Sequence, residues 1–237
     1  DVAKRASYYG GDAGKKLAKK PENVVSLKEV AQQWALFVEQ SQTELAALKE
    51  KFGVDSVDEL VHQDDRNAYT HDLNKASPTT KMYDYLFGKK VRVQDGEFFG
   101  QKGDGHCFFR CVDELTGRLN PDDEAEYGRR NDAEEPLTRD LIEQYRSKFD
   151  PDFKKTPPGG NRWAETEDLK ALTEHAAPGL GVITLAPIGW YGDSVYYQFN
   201  DLHLRENWER GGSLNKTPMF LANIPGLHFD ALRPLGL

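Results

Sequence analysis

Apolar residues recur at a helical period through roughly the first three quarters of the chain and alternate in short runs through the last. Val30, Trp34, Phe37, Val38, Leu45 and Leu48 follow Ser26-Leu27-Lys28-Glu29 at three- and four-residue spacings. That tetrapeptide has the form of a capping box, so the pattern predicts a helix from Ser26 to Gly53. Ser56-Val57-Asp58-Glu59 is a second such box, and predicts a more polar helix to about Lys75 with Leu60, Val61, Tyr69 and Leu73 on its stripe. Ser77-Pro78 reads as an N-cap and first helical residue for a short helix through Met82, Tyr85 and Leu86. Val91–Val93 and Glu97–Phe99 flank Gln94-Asp95-Gly96, a hairpin signal. Phe108, Phe109, Cys111, Val112 and Leu115 surround the next helix with apolar side chains, as for a helix inside a core, and Gly117 ends it. Pro136 opens another helix, with Leu137, Leu141, Ile142 and Tyr145 inward. A turn at Thr156–Gly160 precedes a helix from Trp163 to His175. The period then changes. Residues 181–185, 194–199, 219–223 and 228–232 are β-branched or aromatic runs between Gly, Pro and Asn, and read as strands. Helices first and strands later predict an α+β fold with a mostly antiparallel sheet. Residues 1–77 read as a helical N-terminal extension and 78–237 as the main domain. The first 25 residues read as irregular, and Asn120–Glu135 as a solvated acidic connection.

Composition narrows the function classes. The chain of 237 residues has a net charge of -8, which argues against nucleic acid or an anionic membrane as the main partner. It has no apolar run long enough to span a bilayer, and no signal peptide is visible. Its start at Asp1 rather than Met suggests a fragment of a longer protein. Cys107 and Cys111 are its two cysteines. A disulfide between them would close almost no loop, so free thiols and a reducing, cytosolic compartment are expected. An alternative use of His106, Cys107 and Cys111 is zinc binding, but a second ligand pair at zinc spacing is missing.

Gly103-Asp104-Gly105-His106-Cys107 has the parts of a nucleophile loop. A thiol at a helix N-terminus feels unpaired N–H groups and the positive end of the helix dipole, which favour thiolate. The glycines let the backbone N–H groups of Gly105, His106 and Cys107 approach a developing oxyanion. A cysteine nucleophile also needs a base and a group that orients the base. His62 and His71 lie in polar helices, His175 ends a helix and His203 sits in a polar segment. His106 is adjacent to the cysteine and diverges from it. His228 follows Pro225-Gly226 and begins an apolar strand, with Asp230 on the same strand face. Asp230 could orient the imidazole as the third member of a triad does. The alternative is an edge strand with two polar residues facing water.

These residues resemble a known family. Asp104-Gly105-His106-Cys107-Phe108-Phe109-Arg110 is similar to the nucleophile motif of the ovarian tumour (OTU) cysteine proteases, and His228-Phe229-Asp230 to their histidine motif. Leu137–Phe153 and Trp163–Leu172 resemble two intermediate motifs in the same order. The match covers roughly residues 90–235. His106 stands where Asn is commoner, and Ala164 where Gly is. The resemblance implies a papain-type OTU fold, with a small central sheet flanked by helices, and thiol isopeptidase activity on ubiquitin, polyubiquitin or a ubiquitin-like modifier, without a metal or organic cofactor. It implies Cys107 as nucleophile, His228 as base, Asp230 as orienter and Asp104 as support for the loop. The variable loop that meets the modifier's tail would be Ala186–Asp193, with Trp190 and Tyr191 as exposed anchors or as caps on the sheet edge. Phe229 would line the cleft. Competing readings are a protease acting on its own polyprotein and a non-catalytic ubiquitin-binding module. A host cytosolic enzyme and an effector delivered into a eukaryotic cytosol both fit.

Overall fold

The computed structural model describes residues 14–117, 136–157, 160, 162–204, 213–224 and 228–237. The acidic connection, Pro158-Gly159, the Leu137 side chain and Pro225-Gly226 lie outside the described residues. The box at Ser26 closes: Glu29 N–H donates to Ser26 Oγ at 3.2 Å and Ser26 N–H donates to Glu29 Oε2 at 2.6 Å. It opens α1 (Leu27–Phe52), which Gly53 ends with φ 65°. At the second box Ser56 N–H donates to Glu59 Oε1 at 3.0 Å, but the box caps one 3-10 turn, Val57–Glu59. The chain breaks there because Leu60 turns in against Leu48 and Tyr69, and Val61, expected on the stripe, is 89% exposed. Helix α2 (Gln63–Ala76) starts after the break, and Ser77 caps α3 (Pro78–Leu86) as its sequence predicts.

Among the described residues, seven strands form one mixed sheet: β1 (Val24–Ser26), β2 (Lys90–Val93), β3 (Phe98–Phe99), β4 (Val182–Tyr191), β5 (Ser194–His203), β6 (Met219–Ile224) and β7 (His228–Leu232). Their order is β1-β2-β5-β4-β6-β7-β3, with β1–β2 and β4–β6 parallel and the other neighbours antiparallel. β2 and β3 are therefore not the hairpin that Gln94-Asp95-Gly96 suggests. Val93 and Phe98 instead join strands five steps apart. Five steps of a flat sheet span about 24 Å, whereas five residues reach at most about 18 Å. The sheet must curl to let the chain cross.

The curl closes on α1. Val91 and Val93 near one edge, Phe98 and Leu232 near the other, and Leu27, Val30, Trp34 and Val38 of α1 form a single core. Trp34 is fully buried, and its Nε1–H donates to the Asn215 carbonyl at 2.8 Å. Gly181 makes room for it: a Cβ at 181 would stand 2.6 Å from the Trp34 ring. β1 is also paired to β2, and Leu27 to Leu45 of α1 share a core with the sheet, while Leu48, Leu60 and Tyr69 form a small cluster of their own.

The second layer is α4 (Cys107–Leu115), α5 (Leu137–Phe149) and α6 (Thr166–Ala171), the last running into a π-helical turn, Leu172–Ala176. Phe108, Phe109, Cys111, Ile142 and Leu169 pack there on Val182, Leu221 and Ala231. Helix α6 begins three residues later than the apolar pattern suggests. Glu165 is its N-cap, so Trp163 stays outside it and is 52% exposed. Arg162 pins this loop by donating to both oxygens of buried Asp168, at 2.7 and 2.8 Å.

Candidate active site

Cys107 is the first residue of α4, and its N-cap is His106. The loop before it turns at Gly105, whose φ of 88° lies in the left-handed region that favours glycine. Asp104 ties the loop to the helix. Its Oδ1 accepts from the His106 N–H at 3.0 Å and its Oδ2 from Arg110 Nη2 at 2.8 Å. Burial alone would raise this carboxyl, but the Arg110 guanidinium and the His106 N–H hold it below the usual carboxylate range. The bond to Asp104 engages the His106 N–H within the loop, in a position where the sequence suggested an oxyanion donor. Cys107 N–H opens the helix, where first-turn donors have no intrahelical acceptor.

The other half of the site comes from the start of β7. His228 Nε2 lies 2.8 Å from Asp230 Oδ1, and that oxygen also accepts from the Gln101 N–H at 2.7 Å. Period-two geometry puts both side chains on one strand face. The Gln101 bond fixes the carboxylate from the loop that follows β3. Nε2 is engaged by Asp230, the Cys107 thiol adds to the groups that favour the charged ring, and the second ring nitrogen is Nδ1. Gly103 stands beside this nitrogen; a Cβ there would be 3.9 Å from Nδ1. Cys107, His228 and Asp230 are 1%, 3% and 2% exposed, so the cluster sits beneath the surface. Burial opposes a charge on His228, but Asp230 and Cys107 outweigh it and raise the imidazole to about 9. Cys111, one turn along α4, is buried, and burial followed by the nearby Asp230 charge pushes its thiol well up. Tyr197 is likewise pushed up, by burial and then by Asp230.

The remaining residues singled out from the sequence lie farther off. Ala186–Tyr191 are strand, not loop, and only Gly192-Asp193 turn between β4 and β5. Trp190 packs on the main core, and its Nε1–H donates to the Gly14 carbonyl at 3.2 Å. Its backbone pairs with Lys15 and Leu17, so the N-terminal segment covers it. Tyr191 beside it is exposed. Phe229 meets Phe108 edge-on at 5.5 Å and lines a groove of about 260 Å³. The groove crosses the sheet beside α6 and also takes in Glu165, Thr184, Asp201, His203 and Asn223. Sequence reasoning missed it, because its walls come from four strands, a loop and α6. A larger cavity, about 460 Å³, lies at the other end of α4 against Leu115 and Arg233, away from Cys107. Among the described residues no three His, Cys, Asp or Glu side chains form a metal-holding group, and no helix is long and apolar enough to cross a membrane.

No family model and no curated protein sequence matches the chain. Among solved structures it is similar to the viral OTU domain protease from Qalyub virus, at 20% identity and a TM-score of 0.33, covering 62% of this chain and 91% of that one. It is also similar to the Hazara virus OTU bound to ubiquitin, at 20% identity and a TM-score of 0.35, with the same coverages of 62% and 91%. Both are OTU domains, the family that the sequence motifs resemble.

Proposed function

We propose that the chain is a cysteine isopeptidase of OTU type that cleaves after the C-terminal glycine of ubiquitin or a ubiquitin-like modifier. The observation that carries the reading is a cysteine opening a core helix together with a buried His228–Asp230 pair whose carboxylate also accepts from the Gln101 N–H. A thiol and an imidazole that share a proton in a buried site form a nucleophile and its acid in one pair. Cys107 Sγ attacks the scissile carbonyl, and the carbonyl oxygen takes the charge. The N–H of Cys107 and that of Gly105 are the donors proposed for this oxyanion, worth roughly 3–4 kcal/mol for a well-placed donor. His228 Nδ1 then gives its proton to the departing lysine amine, leaving a thioester on Cys107. His228 next takes a proton from water, which attacks the thioester and frees the modifier and the thiol. Asp230 holds the ring so that Nδ1 faces the sulfur throughout. The tail of the modifier is proposed to lie in the groove past Phe229, with Trp163 near its wall. Acting in a cytosol follows from the same reading, since the thiol must stay reduced.

The direct test is ubiquitin carrying a C-terminal electrophile. Wild-type protein is expected to form one covalent adduct, which peptide mapping places on Cys107 and not on Cys111. An adduct at Cys111, or none with ubiquitin or any related modifier, overturns the reading.

Asp230→Asn tests the orienting contact, because the amide oxygen still accepts from Gln101 N–H while the charge is gone. His228 should then lose its proton at lower pH, so the alkaline limb of kcat moves down from about 9 toward the unperturbed 6.5. Stability follows the same sign. The folded-state value is raised, so the stabilising pair is fully present below about 6.5 and is lost as pH rises through about 9. The gap between wild type and Asp230→Asn in urea melts should therefore close over that window. A gap independent of pH would remove the ion pair from the account.

A further inference from the structure

We infer that Tyr83 of α3 and Phe87 at its end form the docking ridge for the folded body of the modifier. This deepens the proposed function and rests on it. Phe87 follows α3 and is 88% exposed; Tyr83, one turn earlier on the same face, is 41% exposed. Large side chains left this open on a helix end are candidates for a partner surface. Tyr83 is held in place. Its ring meets Phe199 edge-on at 5.0 Å, and its hydroxyl donates to Asp201 Oδ1 at 2.7 Å. Asp201 is also a wall of the groove that ends at Phe229. The ridge and the groove are thus one continuous surface, joined at the Tyr83–Asp201 bond.

The spacing identifies the occupant. Asp201 pairs with Thr184, Thr184 with Leu221, and Leu221 with Ala231, whereas Phe229 pairs with Asn223. The path from Asp201 to Phe229 therefore crosses three interstrand steps and runs two residues along a strand, with both ends on one face of the sheet. At about 4.8 Å per step and 3.3 Å per residue it is roughly 16 Å, or about five residues of extended chain. A groove this narrow takes an extended tail but no folded domain. A substrate whose folded body begins about five residues before the scissile bond brings that body onto Tyr83 and Phe87. The ridge is apolar with a single hydroxyl, so the matching face on the body is apolar. The β4–β5 hairpin is the less suitable platform, because Trp190 is already covered by residues 14–17.

The test compares two substrates with one aminocoumarin leaving group: ubiquitin carrying it at the C-terminus, and a pentapeptide of ubiquitin's last five residues. Phe87→Ser should lower kcat/KM on the ubiquitin substrate at least fivefold, through KM, with kcat within twofold. It should leave kcat/KM on the pentapeptide unchanged, and the melting temperature too, because Phe87 is exposed. Tyr83→Phe keeps the ring on Phe199 and loses the bond to Asp201, and should give a smaller loss of the same kind. The ridge is overturned if Phe87→Ser cleaves the ubiquitin substrate like wild type, or if both substrates suffer equally. Wild-type protein that leaves the ubiquitin substrate intact sinks the modifier reading itself and takes the ridge with it.

Discussion

Cys107→Ala is expected to abolish turnover of a ubiquitin amide, by a factor on the order of 10⁶, the scale seen when a hydrolase triad loses its nucleophile. The loss is this large because no other group near His228 can replace the sulfur. Cys111 is the nearest thiol, but it is fully buried and its thiol is pushed up by that burial, then by the charge on Asp230. It stays protonated at neutral pH and faces the core with Phe109 and Val112. Cys111→Ala should accordingly retain most activity while losing some stability to the small cavity it leaves. The two variants separate a catalytic thiol from a packing one, since both are buried cysteines on one helix. Single-turnover assays are the right measurement, because they read acylation without product release. Residual hydrolysis within a hundredfold of wild type in Cys107→Ala would falsify the assignment.

Trp34→Ala should be the most destabilising single substitution in the N-terminal part, at about 3–5 kcal/mol. The ring is fully buried between α1 and the concave face of the sheet, and its N–H bond to the Asn215 carbonyl is lost with it. That carbonyl would then have to find water or remain unpaired, which adds to the cavity term. The complementary change is Gly181→Ala, which puts a methyl 2.6 Å from the same ring and must push it or the strand aside. Urea melts followed by far-UV dichroism measure both. If the N-terminal helices were an appendage, Trp34→Ala would melt them separately and leave the sheet's transition in place. A single cooperative transition, shifted as a whole, is the expected result, and the strand pairing of β1 with β2 points the same way.

Much of the local structure was legible because it depends on neighbours in sequence. The Ser26 box, the stop at Gly53, the Ser77-Pro78 start and the strand at 219–223 need no more than side-chain chemistry within a few residues. The Ser56 box shows the limit. Its hydrogen bond forms, but burial of Leu60 decides that the helix does not continue. Trp163 shows another: its spacing fits a helical stripe, and the Glu165 cap excludes it. Gln94-Asp95-Gly96 has hairpin chemistry, yet the strands on either side pair elsewhere, because partner choice belongs to the sheet as a whole.

The sequence by itself determined the parts of the site: a thiol behind a glycine-bearing loop, an Asp that could brace it, and a His and Asp two apart on a strand. Those are local patterns, and period two alone puts His228 and Asp230 on one face. Tertiary structure decided what the parts do to one another. It packed β7 on α4, set the His228 imidazole on Asp230, and supplied Gln101 N–H as the carboxylate's second partner. It also engaged the His106 N–H with Asp104, covered Trp190, and built a groove from strands far apart in sequence. The physical reason is the same in each case. Contacts between distant segments depend on how the sheet curls around α1, and a curl set by the packing of many side chains leaves no short-range signature.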